Sequence, residues 1–206
     1  MNRTQIRAWF PLSAALALAI ATPLAAQDDK AATPPLTPAQ QAEMDAWVKA
    51  GTPGAAHAEL AKTVGSYDLA IRHWQAPGTE ASVEKGTATR TMVLDGRVLV
   101  EDMSSTMMGQ PFTGHGMHGY DNVTGKHWST WNDNMSTGLM TSEGSCDASG
   151  ACTFKGSWVD PVKKTTVTSR MTSRWTSPTT EVFEMYGPAP DGKEFKMMEI
   201  TYTRKP

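Results

Sequence analysis

The sequence predicts an all-β fold: an up-and-down antiparallel barrel of about ten strands, preceded by one or two short helices. From residue 64 onward, short strand-like runs are separated by turn formers roughly every ten residues, and no helical pattern intervenes. An antiparallel meander explains this order best. Because closing the sheet removes its exposed edges, a barrel is favoured over an open sheet. The predicted strands are Val64–Trp74, Val83–Leu94, Arg97–Thr106, Phe112–Tyr120, His127–Trp131, Ser136–Gly144, Thr153–Val159, Thr165–Trp175, Glu181–Tyr186 and Phe195–Arg204.

The first 26 residues have the order of a secretory signal peptide. Arg3 and Arg7 precede an apolar run from Leu12 to Leu24, and small residues follow. The run is shorter than the roughly 20 residues that a membrane-spanning helix needs. We therefore predict cleavage after Ala26 and a periplasmic or secreted product without an integral membrane segment. A retained membrane anchor is the less favoured alternative.

The chain is predicted to hold one folded domain, since the exported part is long enough for one sizeable core. The stretch after the signal is rich in Asp, Lys, Ala, Thr and Pro without apolar periodicity, which is typical of a tether. The predicted segments are 1–26 as signal peptide, 27–37 as disordered linker, 38–63 as N-terminal helices and 64–206 as β-barrel domain.

The N-terminal helices are predicted from their end signals. Thr37 provides a cap, Pro38 suits the first helical position, and Gly51 ends the first helix. An alanine-rich stretch then predicts a second short helix. It carries His57, which we interpret as a surface or capping residue and not as a ligand.

The two cysteines predict a disulfide. Cys146 and Cys152 bracket a turn sequence, and an oxidising compartment would let them close it. So short a ring contributes about 2 kcal/mol in the chain-entropy model. A redox or metal role is disfavoured, because the spacing is not Cys-x-x-Cys and no third soft ligand is adjacent.

Charge and hydropathy argue against two classes of protein: nucleic-acid-binding proteins and outer-membrane barrels. The net charge is −2 and the charges are scattered, so no basic stripe is present and nucleic acid is not expected. A mean hydropathy of −0.39 argues against an outer-membrane barrel, whose lipid-facing positions must be apolar.

The middle of the chain predicts a β-hairpin whose turn is Asp121–Gly125. Pairing across this turn sets Gly119 opposite Trp128 and Gly116 opposite Trp131. Each indole then covers a glycine, which favours this register over a one-residue slip.

This register assigns the hairpin side chains to two faces, because side chains alternate along a strand. Ten strands about 4.8 Å apart and tilted by about 40° enclose a cylinder roughly 20 Å across, so we expect a cavity. Aromatic residues with polar tips on its wall would orient a ligand. The candidate ligand-binding residues share one face: Phe112, His118, Tyr120, His127 and Trp131. The other face carries His115, Met117, Trp128 and Thr130.

A set of short motifs runs from His57 to Arg204. They are His57-x-x-Leu60 with Gly65, Leu94-Asp95-Gly96-Arg97, Gly119-Tyr120-Asp121, Trp131-Asn132-Asp133 and the closing Lys196 to Arg204. Together they resemble the bacterial domain of unknown function 1579 (DUF1579) family. The resemblance implies a lipocalin-like, or calycin-like, β-barrel and brings no established activity, substrate or catalytic residue. Tyr67 stands where the family pattern would lead one to expect tryptophan, and the cysteine pair is a local addition.

Metal and haem sites receive little support from the sequence. Thirteen methionines and the run from His115 to His118 suggest a copper site, because thioether and imidazole ligands suit that metal. However, His115 and His118 point to opposite faces of an extended strand, and methionine also fills irregular cores well. A haem would have to use His118 or His127, since no histidine follows His127. We predict no metal and no cofactor.

Catalysis is not predicted either. The chain has no Gly-x-Ser-x-Gly and no His-Glu-x-x-His, so no catalytic residue is assigned. Loops at a barrel mouth could still assemble dispersed acids and bases. Two hypotheses remain: a carrier or sensor for an apolar or amphipathic small molecule, and a non-catalytic scaffold whose barrel is filled and whose outer face binds a partner. The estimated girth favours the carrier.

Overall fold

The computed structural model describes residues 35–189 and 191–206. The predicted signal peptide and residues 27–34 of the predicted linker lie outside the described residues. The described residues form two helices and ten strands. These are α1 (Pro38–Gly51), α2 (Ala55–Ala61), β1 (Gly65–His73), β2 (Ser82–Val93), β3 (Val98–Met107), β4 (Gln110–Asp121), β5 (Lys126–Asp133), β6 (Met140–Cys146), β7 (Cys152–Val159), β8 (Thr166–Ser177), β9 (Thr180–Pro188) and β10 (Glu194–Arg204).

The strands form a closed antiparallel barrel. Each strand pairs with the next one along the chain, and β1 pairs with β10 to close the ring. Closure leaves no strand edge unpaired, which is the physical reason for preferring a barrel to an open meander. The predicted fold class is confirmed.

The best-packed part of the interior lies along β1 to β4 and β10. Side chains alternate between the two faces of each strand, and in β1 the buried residues recur at every second position. The buried cluster consists of Tyr67, Leu69, Ile71, Ala88, Met103, Phe112, Ile200 and Tyr202.

Both helices lie where their end signals place them. α1 begins at Pro38 and ends at Gly51, as predicted. In α2 the backbone N–H of Gly54 donates to Nδ1 of His57 at 3.1 Å, so the capping role predicted for this histidine is confirmed. A surface position is wrong, because His57 is only 5% exposed. No helix of residues 35–189 and 191–206 is long and apolar enough to cross a membrane.

The register of the predicted hairpin is confirmed. In the β4–β5 pair, Gly119 lies opposite Trp128 and Gly116 opposite Trp131. The turn closes with the N–H of Gly125 donating to the carbonyl of Asp121 at 2.8 Å. Gly125 has a φ of 70°, the left-handed conformation that glycine adopts without strain.

The predicted disulfide is present. Cys146 ends β6, Cys152 begins β7, and the two residues are paired across the hairpin. The start of β6 differs from the prediction, since the strand begins at Met140 and not at Ser136. The preceding loop satisfies its backbone locally: Asn132 Nδ2 donates to the carbonyl of Gly138 at 3.0 Å, which replaces a strand pairing.

Candidate ligand-binding site

Because all strands are antiparallel, the barrel has two distinct ends. We call one the helix-covered end: β1, β3, β5, β7 and β9 begin there, and residues 49–64 of the helical segment contact it. We call the other the methionine-rich mouth. It is where β1 and β3 end and where β2 and β10 begin.

Polar side chains from the barrel fasten the helical segment to its end. Asn122, in the β4–β5 turn, donates to the carbonyls of Ala50 and Thr52 at 3.0 and 2.8 Å. Arg97 donates to the carbonyl of Gly51 at 2.9 Å. The last carbonyls of a helix have no partner within the helix, so these bonds satisfy the C-terminus of α1.

The methionine-rich mouth contains a pocket of about 310 Å³. Its walls come from β1, β2, β3, β9 and β10 and from the turns that follow β1 and β3. Thioethers and aromatic rings form most of the lining, and a few polar groups are added. The lining residues are His73, Trp74, Gln75, Ser82, Glu84, Met107, Met108, Met185, Phe195, Met197 and Met198.

All five predicted ligand-binding residues face the barrel interior, but they do not form one pocket. Phe112 lies near the start of β4 and Trp131 near the end of β5, so both lie towards the methionine-rich mouth. Tyr120 and His127 lie at the helix-covered end, with ring centroids 4.9 Å apart. His118 lies between the two groups.

None of these five residues is among the residues that line the described pocket. The hairpin pattern locates a wall of the barrel, whereas the pocket depends on strands far from the hairpin in sequence. The assignment of the five residues to ligand binding therefore stays a prediction.

The glycines of β4 make room for the indole of Trp131 on this wall. A Cβ at Gly114 would lie 2.1 Å from Cζ2 of Trp131, and one at Gly116 would lie 3.0 Å from its Cε3. The indole N–H donates to the carboxylate of Asp133 at 3.1 Å, which fixes the ring. Trp128 covers Gly119 in the same way on the outer face.

Sequence analysis missed a buried ionic cluster in the helix-covered half of the barrel. The guanidinium of Arg90 donates to Glu101 through Nε and to Glu181 through an Nη, both at 2.5 Å. All three side chains are at most 8% exposed. Tyr202 donates to Glu101 at 3.1 Å, and Ser173 donates to Glu181 at 2.5 Å.

Two tyrosine rings, T-shaped to each other, also contact the guanidinium of Arg90. The guanidinium carbon of Arg90 lies 5.0 Å from the ring centroid of Tyr67 and 4.5 Å from that of Tyr202. Tyr67, the residue at the position where tryptophan was expected, is fully buried and donates its hydroxyl to the carbonyl of Thr63 at 2.5 Å. Tyrosine at this position thus contacts the buried arginine with its ring and the N-terminal segment with its hydroxyl.

The electrostatics of the cluster follow from burial and pairing. Burial raises the pKa of the Glu101 carboxyl, but the charge and hydrogen bond of Arg90, together with His118 and the hydrogen bond from Tyr202, outweigh burial and hold that pKa below its usual range. The two carboxylates raise the pKa of Arg90 well above its ordinary value, although its burial acts in the opposite direction. Burial lowers the pKa of His118, and the charge of Glu101 opposes this only in part. Arg90 with Glu101 and Glu181 therefore forms an ionised cluster beside a neutral imidazole.

A local signal for the ionic cluster exists in the sequence. Glu101 occupies the same face as Leu99 and Met103, and Arg90 the same face as Ala88. A charge that shares the parity of apolar neighbours indicates a buried charge that needs a partner. Glu181, the second carboxylate that pairs with Arg90, is 91 residues away in sequence, and no local pattern identifies it.

Among the described residues, no three His, Cys, Asp or Glu side chains are grouped so that they could hold a metal ion. Methionine thioethers are not among these residue types.

The fold and pocket define a class: a closed ten-stranded antiparallel barrel with an apolar pocket at one mouth. The chain belongs to the family described as "Protein of unknown function (DUF1579)", whose model matches residues 52–204. No curated protein matches the chain. Among solved structures, a redesigned β-barrel is similar to it, with 13% sequence identity, a TM-score of 0.39, and coverage of 75% of this chain and 100% of that chain.

Proposed function

We propose that this protein binds an apolar or amphipathic small molecule, with the pocket at the methionine-rich mouth as the binding site. The observation that carries this proposal is the pocket itself, whose volume of about 310 Å³ is at the lower end of the range for small-molecule sites. A few convergent polar groups in a largely apolar lining are typical of such sites.

The chemistry of the lining supports an apolar ligand. Methionine is unbranched and polarizable, so a methionine surface adapts its shape to a ligand. Trp74 and Phe195 add flat apolar area, while the pair of His73 and Glu84 offers polar contacts at one side. An amphipathic molecule could place its apolar part against the thioethers and its polar part against this pair.

A neutral apolar fluorophore, N-phenyl-1-naphthylamine, tests the proposal by titration of the protein. We expect saturable binding with enhanced emission. Met198→Glu places a charge in the pocket and should weaken binding by about tenfold or more, because a buried charge without a partner is costly. Met117→Glu, on the outer face of β4, is the matched control and should leave binding within about twofold. Absence of saturable binding, or equal losses in both variants, would contradict the proposal.

A second matched pair of variants tests whether the wall formed by β4 and β5 takes part in ligand binding. Trp131 and Trp128 both cover glycines of β4, but on the inner and the outer face. Trp131→Ala should weaken fluorophore binding, whereas Trp128→Ala should mainly lower the melting temperature. Equal effects on binding would show that the inner face of this hairpin has no part in the site.

A scaffold with a filled barrel is the second candidate, and the ionic cluster favours it. Arg90, Glu101 and Glu181 occupy interior space in the helix-covered half, together with Tyr67 and Tyr202. If the methionine-rich mouth were filled in the same manner, the fluorophore would not bind, so the titration separates the two candidates.

We also infer a periplasmic or secreted location. The disulfide indicates an oxidising compartment, and the order of residues 1–26 is typical of a cleaved signal. N-terminal sequencing of the protein from the envelope fraction or the medium should begin at Gln27. An N-terminus at Met1 would contradict this inference.

A further inference from the structure

Three neighbouring strands place two thioethers and one imidazole in a row at the methionine-rich mouth. Met185 of β9 is paired with Met198 of β10, and Met198 is paired with His73 of β1. All three residues line the pocket. Directly opposed residues of antiparallel strands have Cβ atoms about 4.5–5.5 Å apart. Because the inner surface of a barrel is concave, side chains from alternate strands also incline towards each other.

A third thioether joins this row because β10 is irregular. The register shifts between Lys196 and Met198, so Met197 is an extra residue in the strand. Such a bulge re-aims a side chain, and Met197 and Met198 consequently both line the pocket. Sδ of Met197 lies 2.2 Å from the position that a Cβ would take at Gly187, so the glycine leaves the space that the thioether occupies.

The imidazole of the row has a carboxylate behind it. Nδ1 of His73 lies 3.4 Å from Oε2 of Glu84 on the neighbouring strand β2. A histidine that binds a metal usually donates its other ring N–H to a carboxylate, which fixes the tautomer and the ring orientation. With the proton on Nδ1, the lone pair of Nε2 is available to an ion.

The geometry points to a site for a single soft monovalent metal ion of the Cu(I) class. We propose that Met185, Met198 and His73 are its ligands, that Met197 is a further thioether ligand, and that Glu84 orients His73. Thioethers and imidazole together favour Cu(I) over the hard divalent ions, which prefer carboxylate, carbonyl and water oxygens. Purely apolar packing of these methionines would require neither an imidazole in the row nor a carboxylate beside it.

The three strands that carry the proposed metal ligands are separated from the β4–β5 pair around the ring of strands. β9, β10 and β1 are consecutive in the barrel, and at least two strands lie between them and the β4–β5 pair on either side. The metal site is thus separate from the β4–β5 wall, but it shares the pocket at the methionine-rich mouth with the proposed small-molecule site. It rests on the row of thioethers and imidazole and not on the binding of an apolar molecule.

Silver(I) tests the site, because it has the soft character of Cu(I) without a change of oxidation state. Ag⁺ is titrated into the oxidised, folded protein with selectively labelled methionine methyl groups, and the spectra are followed by NMR together with calorimetry. We expect one Ag⁺ per chain, with shifts of the methyl signals of Met185, Met197 and Met198.

Matched variants decide the result. The double variant Met185→Leu/Met198→Leu should bind Ag⁺ weaker by on the order of 100-fold, and Glu84→Gln by about tenfold or more, since loss of an orienting group costs 10- to 100-fold. Met44→Leu/Met117→Leu removes two exposed thioethers outside the mouth and should change the affinity by less than about twofold. Leucine for methionine in a core costs less than about 1.5 kcal/mol, so the variants are expected to fold.

Undiminished binding of Ag⁺ to the mouth variant would overturn the proposal, as would an equal loss in the variant with the two exposed methionines changed. Leucine keeps the pocket apolar, so the mouth variant should still bind N-phenyl-1-naphthylamine within about threefold of the unchanged protein. Failure of the metal proposal and failure of the small-molecule proposal are thus distinguishable.

Discussion

At the helix-covered end the barrel interior is held by ion pairs, hydrogen bonds and edge-to-face aromatic contacts, whereas at the methionine-rich mouth it is lined mainly by thioethers. Arg90 makes directional contacts to Glu101, Glu181 and two tyrosines. At the mouth, His73 approaches Glu84 at 3.4 Å, a longer contact than those of Arg90 with its two carboxylates.

The difference concerns how much each end can change shape. Directional bonds between buried charges fix positions, because any displacement leaves a charge without its partner. A methionine side chain has three rotatable bonds and no directional demand, so it moves at little cost. We therefore expect the helix-covered end to maintain the barrel and the mouth to accept ligands.

Removal of the buried arginine gives the largest effect predicted from this comparison. Arg90→Met leaves Glu101 and Glu181 buried without a cation, and should lower the free energy of unfolding by about 3–5 kcal/mol. Urea unfolding followed by circular dichroism measures this change.

The matched control for this variant is Arg72→Met. Arg72 pairs with Glu199 on the outer face, but its side chain is 56% exposed. An exposed pair contributes about 0–1 kcal/mol. Equal losses in the two arginine variants would show that the buried cluster does not have the special role that we assign to the helix-covered end.

The features of the fold that could be predicted from the sequence are those whose determining contacts are local. The β4–β5 register was predictable because its turn, its two glycines and its two tryptophans lie within 16 residues, from Gly116 to Trp131. The disulfide was predictable for the same reason. The start of β6 was not, because the side chains of Asn132 and Ser136 satisfy the loop in a way that strand propensity does not describe.

The pocket could not be predicted from such local patterns. Its walls join β1 to β10, strands that no turn connects and whose register is set only when the barrel closes. The extra residue Met197 in β10 adds a shift that alternation alone cannot locate. A strict period of two would place Met197 and Met198 on opposite faces, whereas both line the pocket.

Reduction of the disulfide should have an intermediate effect at the helix-covered end. The bond closes a short hairpin loop, and the chain-entropy model assigns about 2 kcal/mol to so small a ring. The Cys146→Ser/Cys152→Ser variant should therefore melt several degrees lower and remain folded. Hydrogen exchange should accelerate in the β6–β7 hairpin and not at the methionine-rich mouth. Complete unfolding, or faster exchange at the mouth, would contradict a local effect.

Mild acid should produce the smallest change, and it should act on the helix-covered end. Burial lowers the pKa of His118, and burial together with the nearby His57 lowers the pKa of His127. Below an unfolded-state pKa of about 6.5 the unfolded chain then binds more protons than the folded chain. Stability is thus fully present above about pH 6.5 and falls as the pH drops towards the folded-state values. The slope is at most about 1.4 kcal/mol per pH unit for each histidine.

Variants of two histidines on one strand can isolate this effect. His118→Gln should flatten the decrease in melting temperature between pH 7.5 and 5.5 (roughly one pH unit either side of the histidine pKa of about 6.5). His115→Gln is the matched control, because His115 lies on the outer face of β4, away from the buried cluster. Glu101 does not confuse the measurement, since its lowered pKa makes its contribution disappear only below the unfolded-state value of about 4.3. A melting temperature that is constant over this range would show that the pKa of His118 is the same in the folded and the unfolded chain. The helix-covered half would then not be packed as tightly as its ion pairs imply.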